Sequence, residues 1–177
     1  MNGMISGILR HTLHCLLAGA VIGAGLAFSP AVHAGEAATQ AATAPLQKVT
    51  TYEFLDKLAA HHGKVILVNF FAEYCGPCRR EIPELMKMRE EFSQDDLVII
   101  GVAVDQDIRQ AQAFVDSIGV TDSYSVYYGG AELAIAYRVS AIPFNVIYNR
   151  KGHIEASEAG YIPSDDIRRF LKRLISR

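Results

Sequence analysis

Residues 64–85 read KVILVNFFAEYCGPCRREIPEL, and this stretch decides the fold. Its first part, Lys64 to Phe71, is an apolar run rich in β-branched and aromatic residues. Such a run, with no polar alternation, reads as a central strand buried on both faces. From Cys78 onward, Ile82, Leu85, Met88 and Phe92 recur at three- and four-residue spacings, the apolar stripe of an amphipathic helix over Cys78–Phe92. Between strand and helix sits Cys75-Gly76-Pro77-Cys78. The first turn of a helix offers unpaired N–H groups and partial positive charge, which stabilise a thiolate. Cys75, at the mouth of the turn, is expected to be the more exposed and more acidic sulfur. Cys78, inside the helix, is placed to resolve a mixed disulfide formed on Cys75. Gly76 leaves the entry uncrowded, and Pro77 favours helix initiation. Strand, C-x-x-C, then helix points to thiol–disulfide chemistry.

Other uses of the pair fit less well. A bridge between residues so close in sequence closes a very small loop and constrains the unfolded chain little. Zinc would need two further ligands. The chain has no second cysteine pair, and its folded part carries only His61, His62 and His153 as histidines. We therefore expect no metal and no cofactor other than the cysteine pair itself.

Outward from this centre, the pattern alternates. Tyr52 to His62 has Phe54, Leu55 and Leu58 at helical spacing and stops at Gly63. Leu97 to Val104 is a second buried strand, Ile108 to Ile118 a helix ended by Gly119, and Ala131 to Tyr137 a short helix. Phe144 to Tyr148 is a strand that turns at Asn149–Gly152 and pairs back with His153 to Ser157. Ser164 is read as the cap of a last helix, with Asp165 and Asp166 at its positive end and Lys172, Arg173 and Arg177 at its negative end. Tyr124, Tyr127 and Tyr128 fall on or near a short strand. The fold class is α/β, a central mixed sheet with helices on both faces.

The N-terminal part reads as an address. Arg10 precedes the apolar run Leu16–Phe28, and small residues around His33 suit a cut after Ala34. Residues 1–34 are thus a signal peptide, or an uncleaved membrane anchor if the run is extended to Ile5. Residues 35–48 are Ala/Thr-rich with Pro45 and read as a linker, leaving residues 49–177 as one domain. Of the three cysteines, Cys15 falls in the leader and only the reactive pair stays with the domain. The 17 basic and 19 acidic residues give a net charge of -2, which excludes the basic footprint of a nucleic-acid binder.

The 64–85 stretch resembles the active-site segment of thioredoxin-fold proteins, especially the exported TlpA/ResA-like branch of thiol–disulfide oxidoreductases. Asn69, Arg79, Glu81 and Pro83 take part in the resemblance, as do Ile99–Asp105 and Arg138–Ile154. The resemblance implies a thioredoxin fold and a cis-proline loop at Ile142-Pro143 that faces the cysteines and docks the substrate backbone. It places Cys75 and Cys78 as the catalytic pair, with Tyr74, Gly76, Pro77, Ile142 and Pro143 at the substrate. It further implies periplasmic export, client proteins reduced at their disulfides in cytochrome c maturation or metal-site assembly, and a membrane thiol electron donor. A disulfide oxidase or isomerase, or a binding or chaperone module without turnover, are the alternatives. Phe71 and Tyr74 depart from the family pattern, which has tryptophan at both places; the chain has no tryptophan at all. Asn69 stands where thioredoxins proper carry a buried aspartate, and Phe144 where the family has threonine. Gly76 stands where some relatives carry a glutamate between the cysteines. The proton acceptor for Cys78 is therefore without a residue, and Glu73 reads as a solvated carboxylate.

Overall fold

The computed structural model describes residues 44–177. The leader read over residues 1–34, Cys15 within it, and linker residues 35–43 lie outside the described residues.

In chain order the elements are β1 (Gln47–Lys48), α1 (Thr51–Ala59), β2 (Val65–Phe71), α2 (Gly76–Arg89), β3 (Leu97–Ala103) and α3 (Ile108–Ile118). They continue with β4 (Ser125–Tyr128), α4 (Gly130–Ala136), β5 (Phe144–Tyr148), β6 (Ile154–Ala159) and α5 (Ser164–Ile175). The six strands form one sheet in the order β1-β4-β3-β2-β5-β6. β1, β4, β3 and β2 run parallel, and β5 and β6 run antiparallel to their neighbours. The sheet is therefore mixed, as the strand-and-helix alternation predicts.

The pleat divides the core. Val65, Leu67 and Phe71 point to one face, where α2, α3 and α5 supply Ile82, Leu85, Met88, Phe114, Leu171 and Leu174. Ile66, Val68 and Phe70 point to the other, where α1 and α4 supply Phe54, Leu58 and Leu133. All seven residues of β2 are buried, because the strand is central and both its faces are covered. Successive side chains of a strand alternate between faces, so one run of apolar residues feeds both halves of the core.

The local chemistry explains most element ends. Thr50 caps α1 in a reciprocal box: its hydroxyl accepts the Glu53 N–H, and the Glu53 carboxylate accepts the Thr50 N–H. Gly119 ends α3 in the left-handed region at φ 63°. α2 begins at Gly76, two residues earlier than the apolar stripe indicates, since Gly76 and Pro77 are exposed and the core face starts only at Cys78. It continues through Pro83, whose ring is exposed.

Two readings are corrected. Ser164 is not the cap of α5; it is the first helical residue, Pro163 occupies the cap position, and no side chain bonds there. Asp165 and Asp166 do lie in the first turn, where they pair with Arg168 and Arg169. The linker reading also runs too far. Gln47 and Lys48 form an edge strand against Tyr127 and Tyr128, and the Leu46 N–H donates to Gln112 Oε1 at 2.7 Å. Edge pairing is made by backbone groups and needs no apolar alternation, so composition does not reveal it.

Candidate redox site

The Cys75–Cys78 pair sits just past the C-terminal end of β2. Ala72 to Tyr74 form the turn, in which the Cys75 N–H bonds to the Ala72 carbonyl at 3.1 Å. Cys75 is the N-cap of α2, and Cys75 and Cys78 are joined as a disulfide with their Cα atoms 5.3 Å apart. The Cys78 N–H donates to the Cys75 Sγ at 3.2 Å. The helix N-terminus thus aims a backbone donor at this sulfur, as an anion there requires. Cys75 is 5% exposed and Cys78 fully buried, so Cys75 is the more accessible sulfur.

Tyr74, Gly76 and Pro77 flank the cysteines, and Ile142 and Pro143 lie on a separate loop. Tyr74 is 74% exposed, and Gly76 and Pro77 are exposed beside it. Ile142–Pro143 is a cis peptide directly before β5, the strand that pairs with β2. Phe70 pairs with Phe144, so the Ile142–Pro143 loop and the Cys75 turn leave the sheet at the same end from adjacent strands. Ile142 is half-buried and packs against the apolar clusters of both faces. The Gly160 N–H donates to the Pro143 carbonyl at 2.7 Å, which ties the end of β6 to this loop.

Behind the disulfide lies a buried polar network that composition does not disclose. Tyr124 Oη donates to Asn69 Oδ1 at 2.7 Å. Asn69 Nδ2 donates to Asn145 Oδ1 at 2.9 Å and to Glu81 Oε2 at 2.8 Å. Asn145 Nδ2 and the Ile162 N–H donate to Glu81 Oε1 at 3.1 and 3.3 Å. All four side chains are at most 1% exposed. Glu81 follows Cys78 by three residues, so the two side chains share one face of α2. Burial pushes the Glu81 carboxyl above the ordinary range, and the three N–H donors pull it partly back. Burial, with a smaller contribution from Glu81, raises the Tyr124 hydroxyl well above its usual value.

Glu73 is half-exposed, and its carboxylate pairs with Arg79 on α2 at 3.3 Å. Its N–H bonds instead to Asp105, a buried residue just past β3, at 2.8 Å. The signals for these residues were present in part: Asn69 and Asn145 are polar interruptions of otherwise apolar strand runs. Tyr124 and Asp105 carried none that local spacing could expose. Among the described residues no cluster of three or more His, Cys, Asp or Glu has metal-holding geometry, and no helix is long and apolar enough to cross a membrane.

Known proteins share this fold. The chain is 28% identical to the thiol-disulfide oxidoreductase ResA of Halalkalibacterium halodurans, over 62% of either protein. It is 30% identical to the thiol:disulfide interchange protein HelX of Rhodobacter capsulatus, over 64% of this chain and 62% of HelX. The chain thus spans somewhat under two thirds of the length of these curated relatives. Among solved structures, a thiol:disulfide interchange protein of the thioredoxin family from Chlorobium tepidum TLS superposes with a TM-score of 0.59 at 25% identity, covering 66% of this chain and 83% of that one. Residues 36–157 match the sequence model of the AhpC/TSA family, and the chain belongs to that family.

Proposed function

We propose that the protein is an exported thiol–disulfide oxidoreductase that reduces disulfides in periplasmic client proteins. The observation that carries this reading is the Cys75–Cys78 disulfide at the N-terminus of α2, with the more accessible sulfur at the cap. ResA and HelX, by their names a thiol-disulfide oxidoreductase and an interchange protein, support it.

In the reduced protein, the Cys75 thiolate attacks one sulfur of a client disulfide. A mixed disulfide forms and one client thiolate leaves. Cys78, as thiolate, then attacks the Cys75 sulfur and releases the second client thiolate, which restores the Cys75–Cys78 bond. Two electrons pass to the client, and each departing thiolate takes up a proton. The Cys78 N–H that meets the Cys75 sulfur stabilises the thiolate form. Glu81, on the same face of α2 as Cys78 and with a raised carboxyl, is the group we assign as proton acceptor for Cys78. Tyr74, Gly76, Pro77, Ile142 and Pro143 form the docking surface for the client backbone. A membrane thiol donor returns the electrons, because the exported compartment is oxidising. The N-terminal segment directs export and either is cut after Ala34 or anchors the domain to the inner membrane.

Trapping tests the assignment. Cys78→Ser is expected to accumulate mixed disulfides on Cys75, from which clients are identified, while Cys75→Ser abolishes disulfide reduction. Failure to trap any partner, with the wild type still active, would remove Cys75 as the attacking sulfur. The reduction potential decides the direction: well below about -200 mV for a reductant, near about -120 mV for an oxidant.

A further inference from the structure

Asp105 stands out as a buried carboxyl that packing does not explain. It is 1% exposed. Its Oδ1 accepts the Glu73 N–H at 2.8 Å, and its Oδ2 is buried with no hydrogen-bond partner among the described residues. Buried polar atoms are nearly always paired, so an orphaned carboxylate oxygen calls for a physical reason. The backbone around it is held on both sides. The Val104 N–H bonds to the Phe71 carbonyl at 2.9 Å, and Tyr128 Oη donates to the Asp105 carbonyl at 3.0 Å. Asp105 is therefore fixed against the turn that runs from Ala72 to Cys75.

If acceptance of the Glu73 N–H were the whole task, a neutral carbonyl oxygen would do it. A carboxyl adds a charge that comes and goes. Its surroundings pull in both directions: burial and the nearby Glu73 carboxylate favour the neutral form, and the Glu73 N–H favours the charged one. Burial dominates, and its titration lies above the ordinary aspartate range. The other charged groups nearby are paired: Glu73 with Arg79 of α2, and Asp107 with Arg109 at the start of α3. Tyr128, from β4, is a neutral neighbour whose hydroxyl is raised by burial and by Asp105.

We propose that Asp105 is a positioning residue of the redox site, which sets the Cys75 turn through the Glu73 N–H and whose protonation state is felt at the Cys75 sulfur. A Cys75 thiolate places a negative charge two residues from Glu73, on the turn Asp105 holds. Two like charges oppose each other's ionisation, so the thiolate favours protonated Asp105, and ionised Asp105 disfavours the thiolate. Reduction of the disulfide thus draws a proton toward Asp105. This rests on the reading of Cys75 as the attacking sulfur.

The test is site-resolved alkylation of the reduced protein with iodoacetamide between pH 5 and 9. Wild type is expected to show two inflections in the Cys75 rate. Asp105→Asn keeps an acceptor for the Glu73 N–H and removes the charge. It should show one inflection and react about three-fold faster at neutral pH, the effect of a half-unit fall in the thiol pKa. Superposable profiles would overturn the proposal. A second measurement needs no variant: the Asp105 carboxyl carbon is titrated by NMR in the oxidised and the reduced wild type. The midpoint should rise on reduction; equal midpoints would overturn the coupling. Alkylation at Cys78 in place of Cys75 would instead refute the assignment of the attacking sulfur, and the NMR midpoints would still decide the role of Asp105.

Discussion

The residues behind the disulfide work as one hydrogen-bonded unit. Glu81 accepts three N–H groups, Asn69 both donates and accepts, and Tyr124 closes the far end. Removing one partner of a buried bond leaves the other unsatisfied, at about 1–3 kcal/mol. Tyr124→Phe is therefore expected to lower stability by about that amount by orphaning Asn69 Oδ1, as urea melts would measure. Glu81 adds a pH dependence of defined sign. Its folded-state pKa is raised above the unfolded value, so its stabilising contribution is complete below the unfolded pKa and is lost as pH rises through the folded one. The stability advantage of wild type over Glu81→Gln should accordingly shrink as pH rises from about 4 into the neutral range. A constant difference across paired melts in that range would contradict the raised carboxyl.

At the scale of elements, two glycines decide how strands meet their neighbours. Gly101 lies in β3 between Ile100 and Val102, and a Cβ there would fall 2.5 Å from the Tyr124 ring. The bare backbone lets the ring lie against the sheet and bring its hydroxyl to Asn69. Gly101→Ala must displace a fully buried aromatic ring, at about 1–3 kcal/mol or more. It should also loosen the network, visible as faster exchange of amides around Asn69. Gly160, at φ 91°, ends β6 and donates to the Pro143 carbonyl. No atom lies within 4 Å of a Cβ placed there, so Gly160→Ala strains the backbone alone. Under the proposed function its expected effect is a change in the rate of disulfide reduction with stability lowered by about 1 kcal/mol. Loss of stability with an unchanged rate would detach this turn from the proposed docking surface.

Over the described residues, the cysteine turn and an arginine-centred tie occupy opposite ends of the sheet. The redox turn leaves the C-terminal end of β2. At the other end Arg150 draws three segments together: Nη1 bonds to the Gly63 carbonyl at 2.9 Å, and Nη2 to Asp96 Oδ1 at 2.6 Å and the Ile175 carbonyl at 3.2 Å. It thereby joins the entry to β2, the entry to β3 and the end of α5. Arg150→Ala is expected to cost about 1–3 kcal/mol in denaturant unfolding and to leave the Cys75 alkylation rate unchanged. A change in that rate would mean that the two ends are mechanically coupled.

How much was legible in advance follows the same scales. α1, α2, α3, β2 and β3 are legible from hydrophobic runs, hydrophobic period and glycine stops, because burial on one face or two writes itself into the spacing of apolar residues, whereas β5 and β6 are read from the Asn149–Gly152 turn and α5 from the charges at its two ends. The site's centre was equally plain, since a C-x-x-C between strand and helix is a local feature. β1 was not legible, because edge pairing uses only backbone groups, and neither was the unsatisfied cap of α5. The network behind the cysteines escaped for another reason. Asn69, Glu81, Tyr124 and Asn145 come from four separate segments, and Asp105 meets Glu73 across 32 positions of chain. By itself the sequence determined most of the elements and the place of the cysteine pair between strand and helix, which depend on neighbours a few residues apart. Only the tertiary structure decided which distant polar groups are buried together, because the free energy of a buried charge is set by what surrounds it in space.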